Sequence, residues 1–217
     1  MSRIIVFGAG GRAGRRVVAE AMSRGYRVTA VVRDPGQHQD LSAAGVSLVA
    51  GDVTAVDDVA DLAAGHDAAV NAAARLDVPS EQFFAAAARA LVGGLARAGV
   101  GRLVAIGVGT TLETAPGVAV HDAPDFPAEY RAFSVGHAAQ LEVLRAAETG
   151  IDWVVLVPPP TVLDHEAERT GRYRIGGAQV LPASDDAALF SYADLAVALV
   201  DELEDPKHHR ELVAVAP

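Results

Sequence analysis

The sequence predicts an α/β domain: a doubly wound parallel sheet with helices on both faces. Three observations predict it. Apolar runs of strand length alternate with longer amphipathic or Ala-rich segments. The strand runs are continuously apolar, so both faces are buried, as in a parallel sheet covered by helices. The 217 residues are 51% hydrophobic, which suffices for one such core and leaves little room for a second.

Taken in order, strands are expected at Arg3–Gly8, Arg27–Val32, Val46–Ala50, Ala68–Ala72, Leu103–Val108, Trp153–Val157 and Leu212–Val215. Helices are expected between them at Ala13–Arg24, Val56–Ala63, Ser80–Ala98, Ala128–Ala147 and Ser191–Glu204. Gly25, Gly45, Gly65, Gly99 and Gly150 each follow a helical stretch, where a left-handed residue ends the helix. Ser191 and Asp194 have the spacing of a capping box. Thr110–Pro127 and Pro158–Ala187 lack clean periodicity. Both follow the C-terminal ends of strands, where ligands bind in open α/β sheets. Segments of about 110–127 and 158–190 are therefore expected to form the substrate side of a cleft within a single domain.

Composition excludes several classes. With 18 basic and 28 acidic residues the net charge is −10, which argues against nucleic acid or an anionic membrane as partner. The absence of cysteine excludes disulfides, thiolate catalysis and thiolate metal sites. The run Ile4–Phe7 is too short for a signal-peptide core or a span, so a cytoplasmic location is expected. His208-His209 has no third ligand in view, and no metal is assigned.

The first strand runs into Gly8-Ala9-Gly10-Gly11-Arg12-Ala13-Gly14. Glycines at 8, 11 and 14, with 8 and 10, give the spacing of a dinucleotide-binding turn. The first glycine allows the tight turn, the next lets backbone approach a pyrophosphate, and the last permits close helix–strand packing. The following helix points its amides and positive dipole end at the phosphates. This strand–turn–helix context predicts a Rossmann-type fold, with Gly8, Gly10, Gly11, Arg12, Ala13 and Gly14 around the cofactor. Arg33 ends the second strand where a guanidinium suits a 2′-phosphate, and Arg12 adds a second positive group. NADP(H) is accordingly favoured over NAD(H). Against this, Asp34 turning inward would take the ribose hydroxyls instead. Asp52 and Val53, after the third strand, are placed to meet the adenine, although Asp52 serves equally as a turn residue. Asn71-Ala72-Ala73 ends the fourth strand with small side chains that leave room for the cofactor backbone.

The chain resembles the atypical short-chain dehydrogenase/reductases, and within them the branch named for NADH-flavin reductase, related to NmrA-like and flavin/biliverdin reductase B-like proteins. The glycine turn carries part of the likeness. Residues 112–117 (LETAPG), 125–130 (DFPAEY), 169–177 (RTGRYRIGG), 191–194 (SYAD) and 201–203 (DEL) carry the more specific part. The resemblance implies a nicotinamide cofactor and reduction of a small conjugated acceptor such as FMN, another flavin or a quinone. It gives cofactor roles to Gly8, Gly11, Arg12, Gly14, Arg33 and Asp52, and lays Val157-Pro158-Pro159 beside the nicotinamide.

Typical members of that superfamily carry Tyr-x-x-x-Lys. Spacing puts Phe133 and His137 at those two positions. Phe transfers no proton. His137 remains able to bind ribose hydroxyls or, when protonated, to supply a proton. Tyr130, one turn earlier, either reaches the cleft or only packs at the helix start. His121 and Asp122 are either pocket-lining or ordinary loop residues. Arg169, Arg172 and Arg174 either bind an anionic acceptor or belong to a salt-bridged loop. Ser134 has no base in a nucleophile pattern. Two readings follow: a reductase of a conjugated small molecule, acting as monomer or homodimer, or a non-catalytic NADP(H)-binding sensor of NmrA-like type. An epimerase or dehydratase would require acid/base pairs that the sequence does not display.

Overall fold

The computed structural model describes residues 2–161, 163–183 and 190–217. Residues 162 and 184–189, which belong to the expected substrate-side segment 158–190, lie outside the described residues. The elements run β1 (Arg3–Phe7), α1 (Arg12–Ser23), β2 (Arg27–Val32), a 3-10 segment (Pro35–Leu41), β3 (Val46–Ala50), α2 (Val56–Ala63), β4 (Ala68–Asn71), α3 (Ser80–Ala98) and β5 (Arg102–Ile106). A hairpin of β6 (Glu113–Ala115) and β7 (Val118–Ala119) follows. The chain closes with α4 (Ala128–Ala146), β8 (Asp152–Val157), β9 (Arg174–Ile175), α5 (Tyr192–Glu204) and β10 (Glu211–Ala216).

The main sheet has the order β3-β2-β1-β4-β5-β8-β10-β9, parallel throughout except for β9, which runs antiparallel on β10. Side chains of each strand alternate between two cores. Ile5 and Phe7 pack with Val59, Phe84, Leu91 and Leu144 from α2, α3 and α4. Ile4 and Val6 pack with Val17, Val18, Leu195 and Leu199 from α1 and α5. Both faces of the strand are thus apolar, which explains the unbroken hydrophobic runs. Each such side chain contributes about 1.5–3 kcal/mol on burial.

The strand register brings one edge into line. Phe7 pairs with Val31 and Asn71, Asn71 with Ala105, and Ala105 with Val155. The turns after β1, β2, β4, β5 and β8 therefore open together. The chain runs outward in opposite directions from β1 and β4, so the crevice between them is the switch point of the sheet, where ligands bind.

Several local expectations change. The first strand ends at Phe7 rather than Gly8, the fourth at Asn71 rather than Ala72, and the fifth at Ile106 rather than Val108. In each case the small residues that follow turn out of the sheet to line the cleft. The loop after β5 contains the β6–β7 hairpin, and β9 adds a short strand at the sheet edge. Gly150 is not left-handed, unlike Gly25, Gly45, Gly65 and Gly99. Helix α4 instead ends through an extended Ala147 (φ −72°, ψ 118°). Among the described residues no helix is long and apolar enough to cross a membrane.

Candidate functional site: a cleft along the carboxyl edge of the sheet

A cleft of about 900 Å³ follows the C-terminal edge of the sheet. It runs from the glycine turn, past the ends of β2 and β3, to the turns after β5 and β8. Its volume lies within the range of cofactor and small-molecule sites.

The glycine turn is built by close contact. Gly8 is left-handed (φ +75°), and a Cβ there would stand 2.5 Å from Ala73 Cα, across the switch point. A Cβ on Gly14 would run into the Gly8 carbonyl and lie 2.8 Å from Ala9 Cα. Helix α1 can therefore start hard against β1. Its N-cap is Gly11, no side chain caps it, and its first turn holds no acid. Those free amides and the dipole end suit an anion, which is what a pyrophosphate presents.

Of the residues expected at the cofactor, Gly8, Gly10, Gly11, Arg12, Ala13, Arg33, Asp52, Val53, Ala72, Ala73, Pro158 and Pro159 line this single cleft. Three do not. Gly14 is buried beneath the turn. Asn71 is 2% exposed, and its Oδ1 accepts from the Ala73 amide at 3.2 Å, so it holds the Ala72-Ala73 backbone from behind. Val157 stays in β8 and faces the apolar core. These three shape the cleft wall rather than touch its contents.

The acids after β2 and β3 are occupied. Asp34 caps the 3-10 segment, accepting from the Gly36 amide at 2.9 Å and from Gln37 Nε2 at 2.8 Å. It does not turn toward a ribose. Asp52 Oδ1 accepts from the amide and the hydroxyl of Thr54 at 2.8 and 2.7 Å. The Thr54 hydroxyl bond in particular holds its carboxyl below the usual carboxylate range. Arg33 is exposed, with Asp77 at 3.8 Å.

The far end of the cleft is apolar. Phe83, Phe133, Val108, Pro159 and Leu163 line it, with Tyr130 and Leu76 exposed at its mouth. His137 also faces it, 8% exposed, stacked between Phe84 and Phe133. Burial among these rings pushes its pKa down to about 3. This shift favours the neutral ring at physiological pH and weighs against the expected role of a protonated His137 as proton donor. Its Nδ1 is buried without a hydrogen-bond partner.

Thr110 is a cleft residue that sequence reasoning missed. It sits in the turn after β5, with Oγ1 2.7 Å from Ser134 Oγ. Its carbonyl accepts from His121 Nδ1 at 2.7 Å, so His121 braces this turn from outside the cleft. A hydroxyl at the end of a strand on the ligand edge was the available signal.

The arginine cluster does not reach the cleft. Arg169 forms a bidentate pair with Glu20 at 2.8 and 2.9 Å, and its hydrogen bonds lower the pKa of that carboxyl. Arg174 donates to the carbonyls of Pro217 and Pro182. Of the two alternatives for these arginines, Arg169 fits the salt-bridged loop, its charge paired with Glu20 on α1. Among the described residues no cluster of His, Cys, Asp or Glu is arranged to hold a metal. His208 and His209 pair with Glu202 and Asp152 beside Arg102, at the opposite edge of the sheet.

A family model described as NAD(P)H-binding matches residues 8–206. The chain belongs to this NAD(P)H-binding family. Solved structures resemble it along their whole length. A Burkholderia pseudomallei protein, provisionally named an exported protein, is 34% identical, with 100% of each chain covered and a TM-score of 0.85. A Bacteroides thetaiotaomicron protein, provisionally named an epimerase, is 30% identical over 99% of this chain and 96% of that one, with a TM-score of 0.85. A Streptococcus pneumoniae TIGR4 protein, provisionally named an NADH-flavin reductase, is 26% identical over 99% of each chain, with a TM-score of 0.82. The likeness to the branch named for NADH-flavin reductase, expected from the sequence, is met by the Streptococcus pneumoniae relative.

Proposed function

We propose that the protein is an NADPH-dependent reductase that passes hydride to a flavin, a quinone or a similarly conjugated planar acceptor. The observation that carries this reading is the wall opposite the Pro158-Pro159 turn. By sequence spacing Phe133 and His137 hold the positions of the Tyr-x-x-x-Lys pair, and both line the cleft, with His137 buried against the Phe133 ring. A simple carbonyl needs a proton supplied as hydride arrives. A conjugated acceptor spreads the added charge over its own ring system and takes its proton from water. The apolar walls of Phe83, Phe133 and Pro159 suit a flat, hydrophobic partner. The same wall weighs against the epimerase suggested by one relative's name, because that chemistry needs an acid/base pair.

When bound, the nicotinamide supplies the hydride. The chain's own residues do the rest. Gly8, Gly10, Gly11 and the first amides of α1 hold the pyrophosphate. Arg33 and Arg12 favour a 2′-phosphate, while Asp34, held in its cap, leaves the ribose uncontested. Tyr130 and Leu76 flank the acceptor's entry. We further propose that the protein works in the cytoplasm as a monomer or homodimer, with a small molecule as its partner.

The test is steady-state NADPH oxidation with FMN, riboflavin and a quinone series, alongside NADPH and NADH titrations of wild type and Arg33→Ala. Turnover with at least one acceptor, and a preference for NADPH that Arg33→Ala removes, are expected. Tight NADPH binding with no turnover across the series would favour the non-catalytic sensor instead.

A further inference from the structure

The 3-10 segment after β2 turns back over the glycine turn and lays His38 across Gly10. A Cβ at Gly10 would come within 2.5 Å of His38 Nε2. Arg15, in the first turn of α1, fixes this arrangement. Its Nε donates to the Gly10 carbonyl at 2.9 Å, its Nη2 meets His38 Nδ1 at 3.0 Å, and its Nη1 pairs with Asp40. A guanidinium carries donors only. His38 Nδ1 is therefore the acceptor, and the ring hydrogen sits on Nε2. The imidazole is oriented and its tautomer chosen by a residue that itself grips the phosphate turn.

His38 lines the main cleft. With Arg33, Asp34 and Gln37 it also lines an adjoining cavity of about 330 Å³. Asp34 is committed to the Gly36 amide and Gln37 Nε2. Donors at this corner include the Arg33 guanidinium, with Asp77 3.8 Å away, and the His38 Nε2–H. Both residues line the cavity beside the end of β2, and two such donors suit a phosphate monoester, whose three oxygens accept from more than one side. A bare hydroxyl offers far less to a corner made of donors.

We propose that His38, aimed by Arg15, donates through Nε2 to the 2′-phosphate of NADPH and shares with Arg33 the discrimination against NADH. This rests on the NADPH reading above. It also gives Gly10 a second reason to be glycine: any side chain there would displace the imidazole.

The test uses 2′,5′-ADP and 5′-AMP, which differ only in the phosphate, titrated calorimetrically into wild type, His38→Ala, His38→Gln and Arg33→Ala, with Tm as the folding control. Wild type is expected to bind 2′,5′-ADP the more tightly. His38→Ala should cut that ratio about tenfold, the loss of one hydrogen bond to a charged group, with 5′-AMP affinity and Tm unchanged. His38→Gln, whose amide reaches the place of Nε2, should keep most of the ratio. A wild type without preference removes the NADPH reading and this proposal together. A preference abolished by Arg33→Ala but intact in His38→Ala overturns the role of His38 alone. An equal loss for both ligands in His38→Ala also overturns it, since the ring would then serve the shared part of the nucleotide.

Discussion

The imidazole of His137 lies 3.9 Å, centroid to centroid, from the ring of Phe84 and meets Phe133 edge-on at 4.8 Å. Its pKa falls to about 3 because burial penalises the charged form. The first prediction is that His137 stays neutral through the working range of the protein. Its ring C–H resonances should not titrate between pH 5 and 8, and kcat should show no inflection assignable to it. A step near neutrality that vanishes in His137→Phe would contradict this.

The same shift sets a direction for stability. In the unfolded chain this histidine titrates near 6.5, in the folded one near 3. Between those values the unfolded state binds the extra proton, so stability rises with pH across the window and falls as pH drops from 6.5 toward 3. His66 adds to the same trend, its pKa lowered by burial. The slope from His137 is about 1.4 kcal/mol per pH unit. His137→Phe should flatten the acid limb of a Tm-versus-pH curve. It should also stabilise the protein at pH 7 by roughly 1 kcal/mol, because the orphaned Nδ1 is removed.

The glycine turn separates two reasons for needing glycine. At Gly14 the obstacle is space: a Cβ would enter the Gly8 carbonyl. At Gly99 nothing lies within 4 Å, and only the left-handed backbone (φ +74°) opposes a side chain. Gly99→Ala should therefore cost about 1 kcal/mol in urea unfolding and leave NADPH affinity unchanged. Gly14→Ala must push α1 off β1, with a cost of roughly 2 kcal/mol or more and loss of NADPH binding. Equal behaviour of the two variants in a nucleotide titration would contradict the packing account.

These contrasts show what was legible in the chain. The glycine turn, the strand runs and the helix limits follow from periodicity and local backbone chemistry, both visible in sequence. Arg33 and Asp52 were legible because strand ends fix their place. His38, Thr110 and Phe83 were not, because only the fold brings the segment after β2, the turn after β5 and the first turn of α3 to one cleft. The role of Arg169 stayed open for the same reason: its partner Glu20 lies 149 positions away in the chain, and no local pattern announces it.

Asp194 illustrates the point and carries the next prediction. Its spacing from Ser191 suggested a reciprocal capping box. Ser191 Oγ does accept from the Asp194 amide at 2.9 Å. The carboxylate, however, accepts from the amides of Thr170 and Gly171 at 2.9 and 2.7 Å and from the Thr170 and Ser191 hydroxyls at 3.0 Å each. It is 4% exposed, so these donors have no water to replace it. Asp194→Ala should destabilise the fold by about 3 kcal/mol or more and speed amide exchange over Thr170 and Gly171. Unchanged exchange at those amides would show that the strap is held elsewhere.

Thr110 offers the closing test of the acceptor end. Ser134 Oγ donates its one proton to the Tyr130 carbonyl at 3.0 Å. The short contact with Thr110 must then be a donation from Thr110 Oγ1 to Ser134 Oγ. With its proton spent, the Thr110 hydroxyl presents only lone pairs to the cleft: it is a fixed acceptor, suited to an N–H of a carboxamide or a conjugated ring. Thr110→Val keeps the shape and leaves the Ser134 bond to Tyr130 in place, so the fold should lose only about 1 kcal/mol. Function should lose more. If the partner is the acceptor's N–H, KM for that acceptor rises about tenfold with NADPH affinity unchanged. If the partner is the nicotinamide carboxamide, NADPH affinity falls instead while 5′-AMP binding is untouched. Wild-type values for all three would mean that Thr110 only braces α4 through Ser134.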